Sequence, residues 1–168
     1  MVSTEVLIKI RQIVRSINLE SKRIWKEYGV SIPQVLCLSY LQRSPNYMST
    51  QGSIRKFLNL NSSTVSGIIN RLEKKGLLAR LPRSGDKRIV QIVLTSEGDR
   101  MLSRIPPLLH EQLSENLQQL DPDELASIMK GLDKLVGLLN IRELEATPMI
   151  VLDDDLEDIK NEYVNDEQ

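Results

Sequence analysis

The chain has 168 residues, a formal net charge of −1, one cysteine and one histidine. That inventory excludes an intramolecular disulfide framework, leaves no ligand cluster for a metal, and offers no nucleophile, base or phosphate-binding glycine loop for an enzyme. No apolar run approaches the roughly 20 residues that cross a bilayer, and Glu5 among Val, Leu and Ile is not the plan of an export signal, so a cytoplasmic protein without cofactor or membrane contact is expected.

In chain order, Leu7, Ile10, Val14, Ile17, Ser21, Ile24 and Tyr28 alternate spacings of three and four, a helical stripe widened by Ile13 and Trp25 and ended by Gly29. Ser31, Pro33 and Gln34 form a capping-box start for a second helix carrying Val35, Leu36, Leu38 and Leu41. Ser44, Pro45 and Asn46 break it, and Ser49 or Thr50 caps a short third helix bearing Ile54, Phe57 and Leu58. Asn61 caps a fourth helix whose Val65, Ile68, Ile69 and Leu72 face inward, leaving Ser62, Ser63, Ser66, Gly67, Asn70 and Arg71 outside.

Two β-rich runs follow, Leu77 to Leu81 and Ile89 to Leu94, around a turn made of Pro82, Arg83, Ser84, Gly85, Asp86, Lys87 and Arg88. Thr95 then caps a fifth helix with Leu102, Leu109, Leu113, Leu117 and Leu120 on its stripe, expected to kink at Pro106 and Pro107. Asp121, Pro122 and Glu124 open a sixth, with Leu125, Ile128, Leu132, Leu135, Val136 and Leu139.

A helix with short polar outward residues followed by a basic β-hairpin is the order of a winged helix-turn-helix. The fold class is therefore mainly α (α+β): a winged helix-turn-helix lobe over residues 31–99, a helical dimerisation region over 1–30 and 100–140, and an acidic tail over 141–168. Charge follows this division. Residues 48–100 hold ten Lys or Arg against four Asp or Glu, and residues 141–168 hold two against ten. A basic block on the helix and wing is the electrostatic footprint of a nucleic-acid partner. The apolar stripes of the terminal helices exceed what a reader of about 70 to 80 residues covers by itself, so a homodimer is expected, with two reading helices on successive major grooves.

Residues Leu7 to Asn140 resemble the MarR family of bacterial regulators in element order. The most specific parts are the S-T-V-S core (Ser63 to Ser66), the R-L-E-K-K-G-L exit (Arg71 to Leu77), the D-x-R wing (Asp86, Arg88) and the L-T-x-x-G that follows (Leu94, Thr95, Gly98). The resemblance implies a homodimeric repressor that binds double-stranded DNA and is released by a small aromatic or phenolic effector, or by an oxidant. In that frame Arg88 enters the minor groove with Asp86 holding its guanidinium. Ser62, Ser63, Thr64, Ser66 and Asn70 reach base edges or phosphates, while Arg71, Lys74, Lys75, Arg83 and Lys87 grip the backbone. Gly67 stands where many members carry arginine, and Arg55 where a small alanine is usual, which makes Arg55 a further phosphate contact.

Trp25, Tyr28, Tyr40 and His110 are the candidate effector residues, with core packing as the competing account of the aromatics. Cys37 lies among Val35, Leu36 and Leu38 and reads as a buried core cysteine rather than a peroxide sensor. The acidic tail reads as a solvated segment; the sharper alternative is that it docks on the basic lobe and competes with DNA. For the whole chain, a protein-interaction module or antirepressor that keeps the fold and has given up DNA is the competing function.

Overall fold

The computed structural model describes residues 2–82 and 90–141. Helix α1 (Val2–Tyr28) is followed by α2 (Ile32–Arg43), a single 3-10 turn (Pro45–Tyr47), β1 (Met48–Thr50), α3 (Gln51–Leu58), α4 (Ser62–Lys74), β2 (Leu78–Arg80), β3 (Gln91–Leu94), α5 (Ser96–Arg104), α6 (Leu109–Gln118) and α7 (Pro122–Leu139). These residues form two compact units, the second beginning at Pro107.

In the first unit α2 is the axis of the core. Its capping box forms as the sequence predicts: the Gln34 N–H donates to Ser31 Oγ, and the Ser31 N–H donates to Gln34 Oε1 at 3.1 Å. Ile32, Val35, Leu36, Leu38 and Leu41 are buried around its whole circumference, the pattern of a helix enclosed on every side. Helices α3, α4 and α5 and strand β3 pack against it. Cys37 is fully buried here, and loss of hydration pushes its thiol from 9.0 up to about 12. The residue is a small apolar filler, as its neighbours imply.

Helix α4 starts at Asn61, whose Oδ1 accepts from the Thr64 N–H at 2.9 Å, and its inner row of Val65, Ile68, Ile69 and Leu72 is buried. Gly76 ends it with a φ of +73°, a left-handed turn that favours glycine, and lets the Leu77 N–H close back on Leu72 O at 3.0 Å. The chain then enters a three-stranded antiparallel sheet of order β1-β3-β2, in which β3 pairs Leu94 with Leu78 on one side and Ile92 with Ser49 on the other. The outer two strands have three residues each and the central one four. Strand β1 has no counterpart in the sequence reading, and the other two are shorter than the apolar runs that mark them.

Helix α5 begins on the Thr95 cap, whose Oγ1 accepts from the Gly98 N–H at 3.1 Å. The first turn lies so close to the end of α4 that a Cβ on Gly98 would stand 2.1 Å from the Leu77 carbonyl oxygen and 2.6 Å from Leu94 Cδ1. Glycine here is a packing requirement. The expected single kinked helix through Pro106 and Pro107 is corrected to two separate helices. Ile105, held before a proline, takes ψ 127°, outside the helical region, and α6 starts only at Leu109. Pro107 also lacks the N–H that a continuing helix would need.

In the second unit, α7 is opened by Asp121, whose Oδ1 accepts from the N–H groups of Asp123 and Glu124, both at 2.9 Å. None of its residues is buried; Leu125, Ile128, Met129, Leu132, Leu138 and Leu139 are exposed. Helix α1 likewise exposes Val6, Leu7, Ile8, Ile13, Val14 and Leu19, while Glu20, Ser21 and Ile24 near its end are buried. No helix among the described residues is long and apolar enough to cross a membrane.

Two glycines in these helices are expected to respond with opposite sign. Gly98→Ala forces the α5 start away from the Leu77 carbonyl and lowers unfolding stability by about 3 kcal/mol, the upper end of overpacking costs. At Gly67 a Cβ would meet only the end of the Arg71 side chain, at 3.4 Å, so Gly67→Ala raises stability by about 0.5–1 kcal/mol. Urea midpoints at constant slope check both.

Alkylation of Cys37 provides a third check. Three pH units between 9.0 and about 12 mean about a thousandfold less thiolate at pH 8 in the folded chain than in the unfolded one. Iodoacetamide is therefore expected to leave native protein unmodified and to label it in urea; fast native labelling would show that the thiol is neither buried nor protonated.

Candidate nucleic-acid interface

With its inner row in the core, α4 presents the other edge outward. Ser62, Ser63, Asn70 and Lys74 are exposed, and Thr64, Ser66, Gly67 and Arg71 are half-buried along the same helix. Before it, Thr50 caps α3 by accepting from the Ser53 N–H at 3.2 Å, Asn59 turns the chain with a φ of +54°, and Leu60 is buried in the turn. Arg55 and Lys56 of α3 are exposed. The two helices and the turn thus have the helix-turn-helix arrangement, with β2 and β3 following as the wing.

The polar atoms of the outer edge are arranged unequally. Ser63 spends its hydroxyl hydrogen on Asn61 Oδ1 at 2.8 Å, the oxygen that also caps the helix, and so turns only lone pairs outward. Ser66 accepts from Gln51 Nε2 at 2.6 Å, which ties the middle of α4 to the first turn of α3. Asn70 Oδ1 accepts from Arg80 Nη2 at 2.7 Å, and Arg80 Nη1 also donates to Glu73 Oε2 in an ion pair. Ser66 and Asn70, expected to reach base edges or phosphates, are each held by a side chain from another element. Arg71 reaches back over Gly67, its Nη1 at 3.4 Å from where a Cβ would lie.

Sequence reasoning missed Gln51 and Arg80. Neither has a local signal: Gln51 precedes its partner by 15 residues and Arg80 follows Asn70 by ten, so only the folded corner brings them together. Lys75, expected as a phosphate grip, makes a contact within the chain. Its ammonium donates to the Gly29 carbonyl and lies 5.4 Å above the Trp25 ring centroid. A lysine so placed satisfies an orphan carbonyl at the end of α1, where the helix dipole favours a cation.

The aromatic candidates are likewise partnered. Trp25 carries Lys75, Tyr28 donates through its hydroxyl to the Arg104 carbonyl at 2.9 Å, and Tyr40 stacks on Phe57 with ring centroids 4.7 Å apart. His110 is half-buried on α6 in the second unit. The wing residues Arg83, Asp86, Lys87 and Arg88, and the acidic tail from Arg142 onward, lie outside the described residues. Among the described residues no group of three His, Cys, Asp or Glu is placed to hold a metal ion.

Comparison with known proteins agrees with this geometry. The sequence model of the MarR family matches residues 30–90, from the start of α2 to the edge of β3. The uncharacterised HTH-type transcriptional regulator YsmB of Bacillus subtilis (strain 168) is 28% identical over 126 residues, covering 75% of this chain and 85% of YsmB. YkoM, another uncharacterised HTH-type transcriptional regulator of that organism, is 31% identical over 121 residues, covering 71% of this chain and 77% of YkoM. Among solved structures, the S. aureus MepR–DNA complex is similar with a TM-score of 0.58 and 24% identity, covering 77% of this chain and 95% of MepR. A helix-turn-helix followed by a short antiparallel wing, a family match across that lobe, and a relative sharing nearly a third of its residues over most of both chains lead to one assignment: the chain belongs to the MarR family of winged helix-turn-helix, DNA-binding transcriptional regulators.

Proposed function

We propose that the chain acts as a homodimeric repressor that binds a pseudo-palindromic operator through α4 and the wing and is released by a small aromatic or phenolic effector. The observation that carries the DNA contact is the division of α4, whose inner row is buried while Ser62, Ser63, Asn70 and Lys74 stand in solvent. The helix fits the major groove, Lys74 and Arg55 neutralise phosphates, and Arg88 on the wing takes the minor groove with Asp86 as its partner. The MepR neighbour, of the same fold, is a DNA complex.

Dimerisation belongs to residues 1–30 and 100–140, supported by the exposed apolar side chains of α1 and α7, since a monomer rarely leaves such rows in water. Two protomers then present two α4 helices at half-sites roughly 10 base pairs apart. For the effector, the relevant observation is Trp25, half-buried at the end of α1 and joined to the last turn of α4 through Lys75. A planar ligand that competes with Lys75 for the Trp25 face moves the support of the reading helix. Tyr28 and Tyr40 supply further aromatic surface in the same unit.

The full chain is expected to run in solution at twice its 19.2 kDa mass and to prefer duplexes from its own upstream region over unrelated ones. Arg88→Ala weakens that preferred binding by about 1–3 kcal/mol, the value of one specific contact. Lys74→Ala weakens binding evenly across sequences and lowers the slope of log affinity against log salt by about one. A monomer mass, or equal affinity for every duplex, overturns the proposal.

A further inference from the structure

Asn70 is the side chain of the outer edge whose role can be read without ambiguity, because its partner has no choice of role. A guanidinium only donates, so the 2.7 Å contact from Arg80 Nη2 fixes which end of the amide faces β2: the oxygen does, and the NH₂ is the end left for another partner. Arg80 is held in turn. Its Nη1 donates to Glu73 Oε2, so one planar fork spans two residues three apart on the same face of α4. Its backbone is paired across the sheet with Ile92, which is buried.

We propose that Arg80 is a specificity-determining residue: by occupying the carbonyl oxygen of Asn70 it makes this asparagine a donor-only reader, selecting a base edge that offers acceptors, guanine N7 and O6 or thymine O4, over adenine. This rests on the reading of α4 as the helix that enters the groove. An unencumbered asparagine matches adenine because its NH₂ donates to N7 while its oxygen accepts from the 6-amino group. With a charged donor already on Oδ1, the adenine amino group meets an oxygen whose remaining lone pair lies beside a positive charge, and it loses that competition. The amide hydrogens lose nothing, since a cation on the oxygen polarises the N–H bonds toward stronger donation. Arg80 touches no base in this scheme; it acts through Asn70 and is a positioning residue.

The test is selection of preferred sites from a randomised duplex library at fixed salt, using the full-length chain, Arg80→Met, Asn70→Asp and Asn70→Ala. The site position whose preference disappears in Asn70→Ala is expected to be guanine or thymine in the unaltered chain. In Arg80→Met, which keeps a long apolar stem but frees Oδ1, that position gains preference for adenine by about tenfold. Asn70→Asp keeps the partnership with Arg80 and has no hydrogen to donate, so it loses the guanine or thymine preference by a similar factor.

Adenine at that position in the unaltered chain overturns the assignment, as does a profile unchanged by Arg80→Met. A loss in Asn70→Ala that is uniform over all sequences makes Asn70 a phosphate contact and also overturns it. Should Arg80→Met fail to fold by circular dichroism, Asn70→Asp decides, and a retained guanine or thymine preference refutes the idea. An unaltered chain that enriches no sequence at all is a different outcome, refuting the proposed sequence-specific operator binding through α4 rather than the role of Arg80.

Discussion

One carbonyl group, that of Leu77, organises the reading lobe. It accepts from the Thr95 N–H at 3.2 Å, and the first turn of α5 lies against it at a distance that leaves room for no Cβ at Gly98. The Thr95 hydroxyl serves both neighbours, donating to Gly76 O at 2.6 Å and accepting from the Gly98 N–H. The end of α4, the entry to β2 and the start of α5 therefore share a single point, and the direction in which the wing leaves the reading helix is set there. Arg80 reaches Asn70 and Glu73 because β2 departs from this corner antiparallel to β3, three residues from the fixed carbonyl.

The same end of α4 is tied in the other direction by Lys75. Its ammonium satisfies the Gly29 carbonyl just past α1 and covers the Trp25 ring. Gly29 has a φ of +67°, so the chain reverses there into the buried cap of α2. A helix terminus, an aromatic face and the tail of the reading helix thus meet at one cation.

What the sequence reveals follows the range of the interactions. The caps at Ser31, Thr50, Asn61, Thr95 and Asp121 are legible because each side chain bonds a backbone N–H two or three residues on, and their positions match the structure. The inner row of α4 is legible for the same reason, since helical periodicity is local. Strand β1 is not: three residues of mixed character, Met48, Ser49 and Thr50, become a strand only because β3 offers an unpaired edge. Gln51 and Arg80 escape notice likewise, each being a polar residue of ordinary surface appearance whose partner lies on another element. Pro106 and Pro107 are visible, but the choice between a kink and a break depends on Ile105 taking an extended ψ, which no periodic pattern reports.

Gly67 illustrates how a missing side chain on the outer edge of α4 is covered by a neighbour. A missing side chain in mid-helix costs about 1 kcal/mol of helix stability. Arg71, one turn later, directs its Nη1 to within 3.4 Å of the position a Cβ would take, so a positive charge lies over the gap on a long side chain. In the proposed DNA contact a charge placed this way would follow phosphate geometry more readily than base edges, because the long side chain is less constrained than one rooted at the contact. In the proposed DNA contact, discrimination would fall to the short, internally bonded side chains. Ser63 turns lone pairs outward and Asn70 its amide hydrogens, and both are held by bonds within the lobe, so that less ordering entropy would be lost in such a contact.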